Sequence, residues 1–157
     1  MIIVARIRAF PLAPYADLAA LGLILAQAIE RIGDIINGEH ISKVTSLPWG
    51  VSYTHLNSPA FGLPPTHPAV AYELLMDLII FGVLLKLRRR IRPDGSLFLL
   101  YLTLYSTGRF FLSFLRLDSN TVFLSLNQPQ WIGLLVLVVA IPLLVFRKVS
   151  FRSSGNP

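Results

Sequence analysis

The chain has 157 residues, of which 54% are hydrophobic and only 14% are charged, and its mean hydropathy is +0.65. Soluble domains carry about 25% charged residues, so this composition indicates a polytopic membrane protein. The absence of cysteine excludes disulfides, thiolate catalysis and cysteine-ligated metal sites, and basic loops explain the net charge of +6 better than nucleic-acid binding does.

Four apolar segments are long enough to be membrane helices, because a bilayer core of about 30 Å requires roughly 20 helical residues. They are approximately residues 12–32, 68–87, 97–115 and 130–146. Asp17, Gln27, Glu30 and Arg31 interrupt the first segment. The sequence therefore predicts an all-α polytopic membrane protein with about four transmembrane helices and a long outer loop after the first, forming a single membrane domain over residues 1–157.

Proline and glycine mark the ends of these segments. Pro68 suits the first turn of the second helix, where a missing N–H group does no harm. Pro93, Asp94 and Gly95 form a predicted turn between the second and third helices, and Pro142 is expected to kink the fourth. The loop at 33–67 is rich in Gly, Pro, Ser and Asn, and loops of this length are often functional.

The distribution of lysine and arginine predicts the orientation. Basic residues precede the first segment, follow the fourth, and fill the connection between the second and third at 86–92. The other two connections are poor in cations. By the positive-inside rule, both termini and the 88–94 loop are expected to be cytoplasmic, and the loops at 33–67 and 117–129 are expected outside.

Charged groups on three predicted helices lie at similar depth near the outer edge of the bilayer. Arg31 ends the first helix, Glu73 lies about 7–8 Å inside the second, and Arg109 lies about 10 Å inside the third. His67 lies at the mouth of the second helix. Because intramembrane charges are costly and usually functional, we expect Arg31, Glu73 and Arg109 to converge on one cavity.

The third predicted helix carries a polar stripe. Tyr101, Tyr105, Arg109 and Ser113 recur every four residues and so share one face. Two arginines near the headgroups suggest an anion, and a guanidinium binds two phosphate oxygens at once. The obvious phosphate at that depth belongs to a phospholipid.

Purely structural interpretations compete with this one. Arg31 could be a snorkelling residue at a helix end, and Arg109 could form a structural ion pair with Glu73. Asp77 could be a buried neutral residue in the packing. Arg116 is interpreted as an interfacial anchor, for which lysine should be an almost silent replacement.

The three histidines could also be imagined as a metal site. His40, His55 and His67 match no strong zinc spacing. The sequence therefore predicts no metal site.

Several motifs match one known family in the same order. Residues 31–39 read Arg-Ile-Gly-Asp-Ile-Ile-Asn-Gly-Glu, and the family signature reads approximately Gly-Arg-x-Gly-Asn-Phe-x-Asn-x-Glu. Further matches are Pro48-Trp49-Gly50, His67-Pro68, Tyr72-Glu73, Gly95, Tyr105, Arg109-Phe110, Phe114 with Arg116, and Gln128 or Gln130. The chain resembles the C-terminal part of prolipoprotein diacylglyceryl transferase over nearly its whole length.

The resemblance implies a bacterial inner-membrane enzyme that moves diacylglycerol from phosphatidylglycerol to the lipobox cysteine of a preprolipoprotein, without a cofactor. Arg31 and Arg109 would hold the phosphate and stabilise charge on the leaving group. His67 or Glu73 would take the thiol proton, with His67 ranked first because of the ordinary pKa of imidazole; the alternative is a base in the N-terminal part of the family. The nucleophile would arrive with the substrate, which agrees with the absence of cysteine.

The remaining implied site residues lie around these groups. Asn37 and Glu39 would bind the headgroup or order the loop, and Asp34, Tyr72 and Tyr105 complete the predicted substrate-binding set. The expected partners are phosphatidylglycerol, the preprolipoprotein signal peptide and the membrane, with no nucleic acid. The site would face the outer leaflet.

The sequence also departs from the family pattern. Asp34 stands where asparagine is usual, Ser113 where many members carry glutamate, and Glu30 where glycine is usual. The family has further N-terminal helices, including a functional histidine-glycine loop, and we expect a complementing N-terminal half to supply them if the chain is a fragment of a split enzyme. A natural short member or a truncated gene model are the other expectations.

Two rival functions follow from other classes. One is a non-catalytic lipid-binding or partner-binding membrane protein derived from the enzyme. The other is a small transporter subunit, which would need polar residues lining the bilayer midplane. Few such residues are present beyond Asp77 and the tyrosines of the third helix.

Overall fold

The computed structural model describes residues 11–117, 121–123, 126–147 and 150–151. Its long elements are four α-helices: α1 (Leu12–Asn37), α2 (Ala69–Leu87), α3 (Ser96–Leu112) and α4 (Gln128–Phe146). A 3₁₀ turn, Ser113–Leu115, continues α3, and the short strands β1 (Ile91–Arg92), β2 (Thr121–Phe123), β3 (Leu126–Asn127) and β4 (Ser150–Phe151) form two antiparallel pairs, β1 with β4 and β2 with β3. The predicted all-α class is confirmed.

Helix α1 continues five residues beyond the predicted end at 32. It ends where Gly38 adopts a left-handed conformation, with φ of 62°, and donates its N–H to the carbonyl of Asp34 at 2.9 Å. Gly33, inside the helix, meets no crowding. The extension matters because it places Asp34 one turn after Arg31, on the same face of the helix.

Helix α4 begins two residues before the predicted position, and its sequence explains the start. Asn127 and Gln130 form a reciprocal capping box, in which the N–H of Asn127 donates to Oε1 of Gln130 at 2.8 Å. Pro129 lies in the first turn, where its missing N–H is harmless. Pro142 lies inside the helix.

The core lies where α1, α2 and α3 meet. Its buried members include Ala20, Ile24, Ile80, Leu84 and Leu97. Helix α1 packs mainly on α2, and α4 packs mainly on α3. Gly133 permits the second contact, because a Cβ there would lie 3.3 Å from the carbonyl oxygen of Ser106.

Asp17 joins the start of α1 to the start of α3. Its carboxylate accepts the N–H of Gly95 at 2.7 Å and of Phe98 at 2.8 Å. These N–H groups have no partner within their own helix, and the helix dipole favours a negative charge there. A residue of another helix therefore caps α3 and holds this end of the bundle, called the Asp17 end.

Three of the described helices are long and apolar enough to cross a membrane: Leu12–Asn37, Ser96–Leu115 and Gln128–Phe146. Helix α2 has 19 residues but carries Glu73, Asp77 and Lys86. Large apolar side chains such as Leu18, Ile79 and Val138 are exposed on the outside of the helices. A bilayer covers such surfaces, so the chain is a multi-pass membrane protein.

The loop between α1 and α2 crosses the other end of the bundle. Lys43 donates its N–H to the carbonyl of Leu115 at 2.9 Å, and its own carbonyl accepts the N–H of His67 at 2.9 Å. Ile41 accepts from Leu117 in the same way. The loop therefore ties the segment after α3 to the segment before α2, and brings the residues around Gly38 to this end.

Candidate functional site

Glu73 is the centre of a cluster of charged side chains. Its side chain is 1% exposed and meets three arginines from two different parts of the chain. Nε of Arg31 lies 3.0 Å from Oε2 of Glu73, and NH1 of Arg116 lies 3.3 Å from Oε1. Arg109 donates to Oε1 as well. The side chains of Arg31, Glu73 and Arg109 are therefore in contact, as the sequence predicts, but the cavity described below is lined by Arg109 and not by Arg31 or Glu73.

Asp34 and His40 close the cluster into a ring. NH1 of Arg31 donates to Oδ2 of Asp34 at 2.5 Å, and Nε2 of His40 lies 3.4 Å from the same oxygen. NH2 of Arg116 lies 2.7 Å from Nδ1 of His40. Because a guanidinium can only donate, Nδ1 accepts, and the ring proton is then on Nε2, facing Asp34. We call Arg31, Asp34, His40, Glu73 and Arg116 the charged ring, to which Arg109 is attached through Glu73.

The sequence predicts that Arg116 is an interfacial anchor, and the structure shows that this prediction is wrong. The residue is 9% exposed, and its guanidinium bridges Glu73 and His40. Helical periodicity does not predict this position, because α3 ends at Leu112 and Arg116 is extended, with φ of −93° and ψ of 141°. His40 gave no signal either, because the turn at Gly38 decides where its side chain lies.

Three arginines and two carboxylates are in direct contact here, which leaves an excess of one positive charge when His40 is neutral. Each of the three arginines has a carboxylate as an ionic partner, and Arg116 also contacts the imidazole of His40. A group of arginines with excess charge suits a phosphate monoester or diester. The arrangement can bind an anion and stabilise negative charge that develops on it.

Arg109 also borders a cavity between α3 and α4. The cavity has a volume of about 310 Å³ and is lined by Tyr105, Ser106, Arg109, Gln128, Pro129, Ile132 and Gly133. Tyr105 stacks on Tyr101, with ring centroids 5.9 Å apart, and Tyr101 donates its hydroxyl to Oε1 of Gln27 at 3.0 Å. The predicted tyrosine stripe of α3 thus runs from the core to this cavity.

Asn37, Glu39 and Tyr72 are among the predicted residues that lie outside the charged ring. Asn37 and Glu39 are both exposed, and Nδ2 of Asn37 donates to Oε1 of Glu39 at 2.8 Å. The hydroxyl of Tyr72 accepts from Nε1 of Trp49 at 2.8 Å. These contacts order the loop around the ring.

His67 lies at the start of α2. Its ring is tilted against Tyr72, with centroids 6.3 Å apart, and its buried Nδ1 has no hydrogen-bond partner in the structure. The described ion pairs and hydrogen bonds join His40, rather than His67, to the arginines.

The loop packs tightly against the end of α1. A Cβ at Gly38 would lie 2.5 Å from Cδ1 of Tyr53, and Ser58 donates its hydroxyl to the carbonyl of Gly38 at 2.7 Å. Burial raises the pKa of the Tyr53 phenol, because the charged form loses solvation. Only glycine fits at position 38, so this contact fixes where the chain turns towards His40.

Asp77 lies one turn after Glu73 on α2. It is fully buried, and neither carboxylate oxygen has a hydrogen-bond partner in the structure. Buried carboxylates without a hydrogen-bond partner are rare and costly.

Within the described part of the chain, no group of three or more His, Asp or Glu side chains could hold a metal ion.

The sequence of the chain matches one known protein family. The family model for prolipoprotein diacylglyceryl transferase matches residues 1–146. A phosphatidylglycerol–prolipoprotein diacylglyceryl transferase of Frankia alni is 40% identical over 146 residues, which are 92% of this chain and 39% of that protein. The enzyme of that name from Dehalococcoides mccartyi strain 195 is 35% identical over 147 residues, which are 93% of this chain and 56% of that protein.

A third relative, from Clostridioides difficile and of the same name, is 43% identical over 104 residues, which are 66% of this chain and 39% of that protein. The chain thus spans about half or less of the length of these relatives and matches their C-terminal part. The family model covers almost the whole chain, and three of the described helices are long and apolar enough to cross a membrane, so the chain belongs to the prolipoprotein diacylglyceryl transferase family.

Proposed function

We propose that the protein transfers diacylglycerol from phosphatidylglycerol to the lipobox cysteine of preprolipoproteins. The observation that supports this most strongly is the meeting of Arg31, Arg109 and Arg116 at one buried glutamate, with excess positive charge. The names of the relatives supply the substrate class, because they are called phosphatidylglycerol–prolipoprotein diacylglyceryl transferases.

In this proposal, Arg31 and Arg109 hold the lipid phosphate. The thiol of the substrate attacks the glyceryl carbon, a thioether forms, and glycerol phosphate leaves with the electron pair of the broken C–O bond. Negative charge therefore grows on the phosphate oxygens as the bond breaks. Guanidinium groups that are already positioned stabilise that charge without reorganisation.

The cavity between α3 and α4 is our candidate for the lipid. Arg109 lines it and also contacts Glu73, so a phosphate on Arg109 would place glycerol in the cavity. Tyr105 and Gln128 offer hydrogen-bonding groups there. Asn37, Glu39 and Tyr72 would order the loop that covers the site rather than touch the phosphate.

We propose that all four long helices cross the bacterial inner membrane, that both termini are cytoplasmic, and that the charged ring faces the outer leaflet. The basic residues at 86–92 and at 147 lie towards the Asp17 end, as the positive-inside rule requires of the cytoplasmic side. Cysteines at the exposed positions Asn57 and Arg89 should label from opposite sides of the membrane. Labelling of both from outside would contradict this orientation.

The activity is tested with purified protein in liposomes that contain phosphatidylglycerol and a lipobox peptide. The expected product is the thioether-linked peptide, detected by mass spectrometry, and liposomes of phosphatidylcholine alone are the control. A second reaction adds a polypeptide carrying the family's N-terminal helices. Absence of product in both reactions would refute the proposed activity.

One observation favours a second candidate, a non-catalytic lipid-binding protein. Asp34 already occupies Arg31 at 2.5 Å, which reduces the charge available to a phosphate. This candidate predicts saturable binding of phosphatidylglycerol with no thioether product. Asp34→Asn would then tighten lipid binding without creating activity.

A further inference from the structure

His40 is the imidazole that contacts the arginine cluster, and its two nitrogens have different partners. Nε2 faces the carboxylate of Asp34 at 3.4 Å, and Nδ1 faces the guanidinium of Arg116 at 2.7 Å. A carboxylate next to one nitrogen and a lone pair on the other is the arrangement in which a carboxylate orients a histidine base, and here that lone pair accepts from Arg116. The side chain of His40 is 19% exposed.

Resting on the proposed function, we propose that His40 accepts the proton of the attacking thiol, and that the lipid phosphate frees its Nδ1 by drawing Arg116 away. A neutral imidazole nitrogen is a weaker acceptor for a guanidinium than an anionic phosphate oxygen. Arg116 also contacts Glu73, so it belongs to the same cluster as the arginines that would hold the phosphate. Binding of the lipid would therefore prepare the base.

The step balances. The proton of the thiol moves to Nδ1 of His40, the sulfur forms a bond to the glyceryl carbon, and the C–O bond breaks with its electron pair on glycerol phosphate. The proton then passes from the imidazolium to the departing phosphate or to water. Asp34 stabilises the imidazolium while it exists, which gives a use for the carboxylate that stands where the family pattern has asparagine.

Other candidate bases are less suited by their contacts. Both oxygens of Glu73 lie next to arginines, so this carboxylate serves as the shared counter-ion of the cluster. His67 is ranked first by the sequence, but its ring contacts Tyr72, and its Nδ1 is buried without a partner. His40 has both an orienting carboxylate and a contact that an anion can displace.

The kinetic test uses the liposome assay with three variants. His40→Gln should lose about 10²–10⁴-fold in the rate of thioether formation, as general bases typically contribute. His55→Gln is the matched control, because His55 is in the same loop and its Nδ1 accepts the N–H of Asn57 at 3.3 Å; it should keep the wild-type rate. His67→Gln is the competing variant. Full activity in His40→Gln with loss in His67→Gln would overturn the assignment.

A second measurement is independent of activity. Nitrogen-15 NMR of labelled histidine should place the His40 proton on Nε2, and phosphatidylglycerol in micelles should shift Nδ1 whereas phosphatidylcholine should not. Retained binding of phosphatidylglycerol by His40→Gln would show that the variant folds. An Nδ1 signal that phosphatidylglycerol leaves unchanged would overturn the proposed release. Absence of product from the wild type would refute the proposed function itself, whereas product from both wild type and His40→Gln would refute this inference alone.

Discussion

The two ends of the helix bundle use carboxylates differently. At one end, Asp17 accepts backbone N–H groups of Gly95 and Phe98, and the interaction is complete within the protein. At the other end, Glu73 and Asp34 face three guanidinium groups, which are one cation more than the two carboxylates can neutralise. About 20 Å of α1 separates Asp17 from Arg31.

The difference separates structure from function. A carboxylate at a helix N-terminus needs no ligand, because unpaired N–H groups and the helix dipole balance it. A cluster with more arginines than carboxylates is expensive to bury unless it binds something or is matched by further groups. Substitutions at the two ends should therefore affect different measurements.

Glu73→Gln should have the largest effect on stability. It leaves three arginines close together without their shared anion, and removal of one partner from a buried ion pair costs about 3–5 kcal/mol. Denaturation in detergent with increasing SDS measures the change. High phosphate should recover part of the loss in stability, because an anion can replace the carboxylate. An unchanged transition would contradict the central position of Glu73.

Arg31→Lys and Arg109→Lys should each reduce thioether formation by about 10²–10³-fold while the protein still inserts and folds. Lysine keeps the charge but lacks the planar fork that holds two phosphate oxygens. Full activity in Arg109→Lys would favour a purely structural ion pair with Glu73. Circular dichroism of each variant controls for folding.

Arg116→Lys should not be silent, in contrast to the expectation from the sequence. Lysine cannot reach Glu73 and His40 with the geometry of a guanidinium, and a hydrogen bond to a charged group contributes about 1.5–3 kcal/mol. We expect a loss of stability of this order in the SDS titration. A transition identical to that of the wild type would return Arg116 to the role of an interfacial residue.

Asp17→Ala should lower stability by about 0.5–2 kcal/mol, the usual effect of losing a helix cap. It should leave the affinity for phosphatidylglycerol unchanged, which tests whether the Asp17 end is purely structural. The SDS titration and lipid binding measure the two parts. A loss of lipid affinity equal to that of Arg109→Lys would remove the distinction between the two ends.

Arg92→Ala should have the smallest effect. Its side chain is 57% exposed and pairs with Asp94 at 2.8 Å, and exposed ion pairs contribute about 0–1 kcal/mol. The SDS transition should move little, and less at high salt. A shift as large as that of Asp17→Ala would mean that the β1 region supports the Asp17 end more than its exposure indicates.

The sequence allowed the helices and their depth to be predicted, because a bilayer requires long apolar segments and fixes the rise per residue. It also placed Arg31, Glu73 and Arg109 at similar depth. It could not give their lateral contacts, since depth alone does not say which faces of the helices meet. Arg116 was misassigned for this reason: its position near a helix end is typical of an interfacial residue, and only packing buries it.

What the sequence alone determined is therefore the membrane class, the four helical segments and the family, since these depend on composition, local periodicity and ordered motifs. The tertiary structure decided the closed ring. The ring forms because α1 continues to Asn37, which places Asp34 next to Arg31. It also requires the left-handed turn at Gly38, which packs against Tyr53. That turn brings His40 between Asp34 and Arg116, residues 82 positions apart in the chain, and such non-local contacts follow from packing rather than from any local pattern.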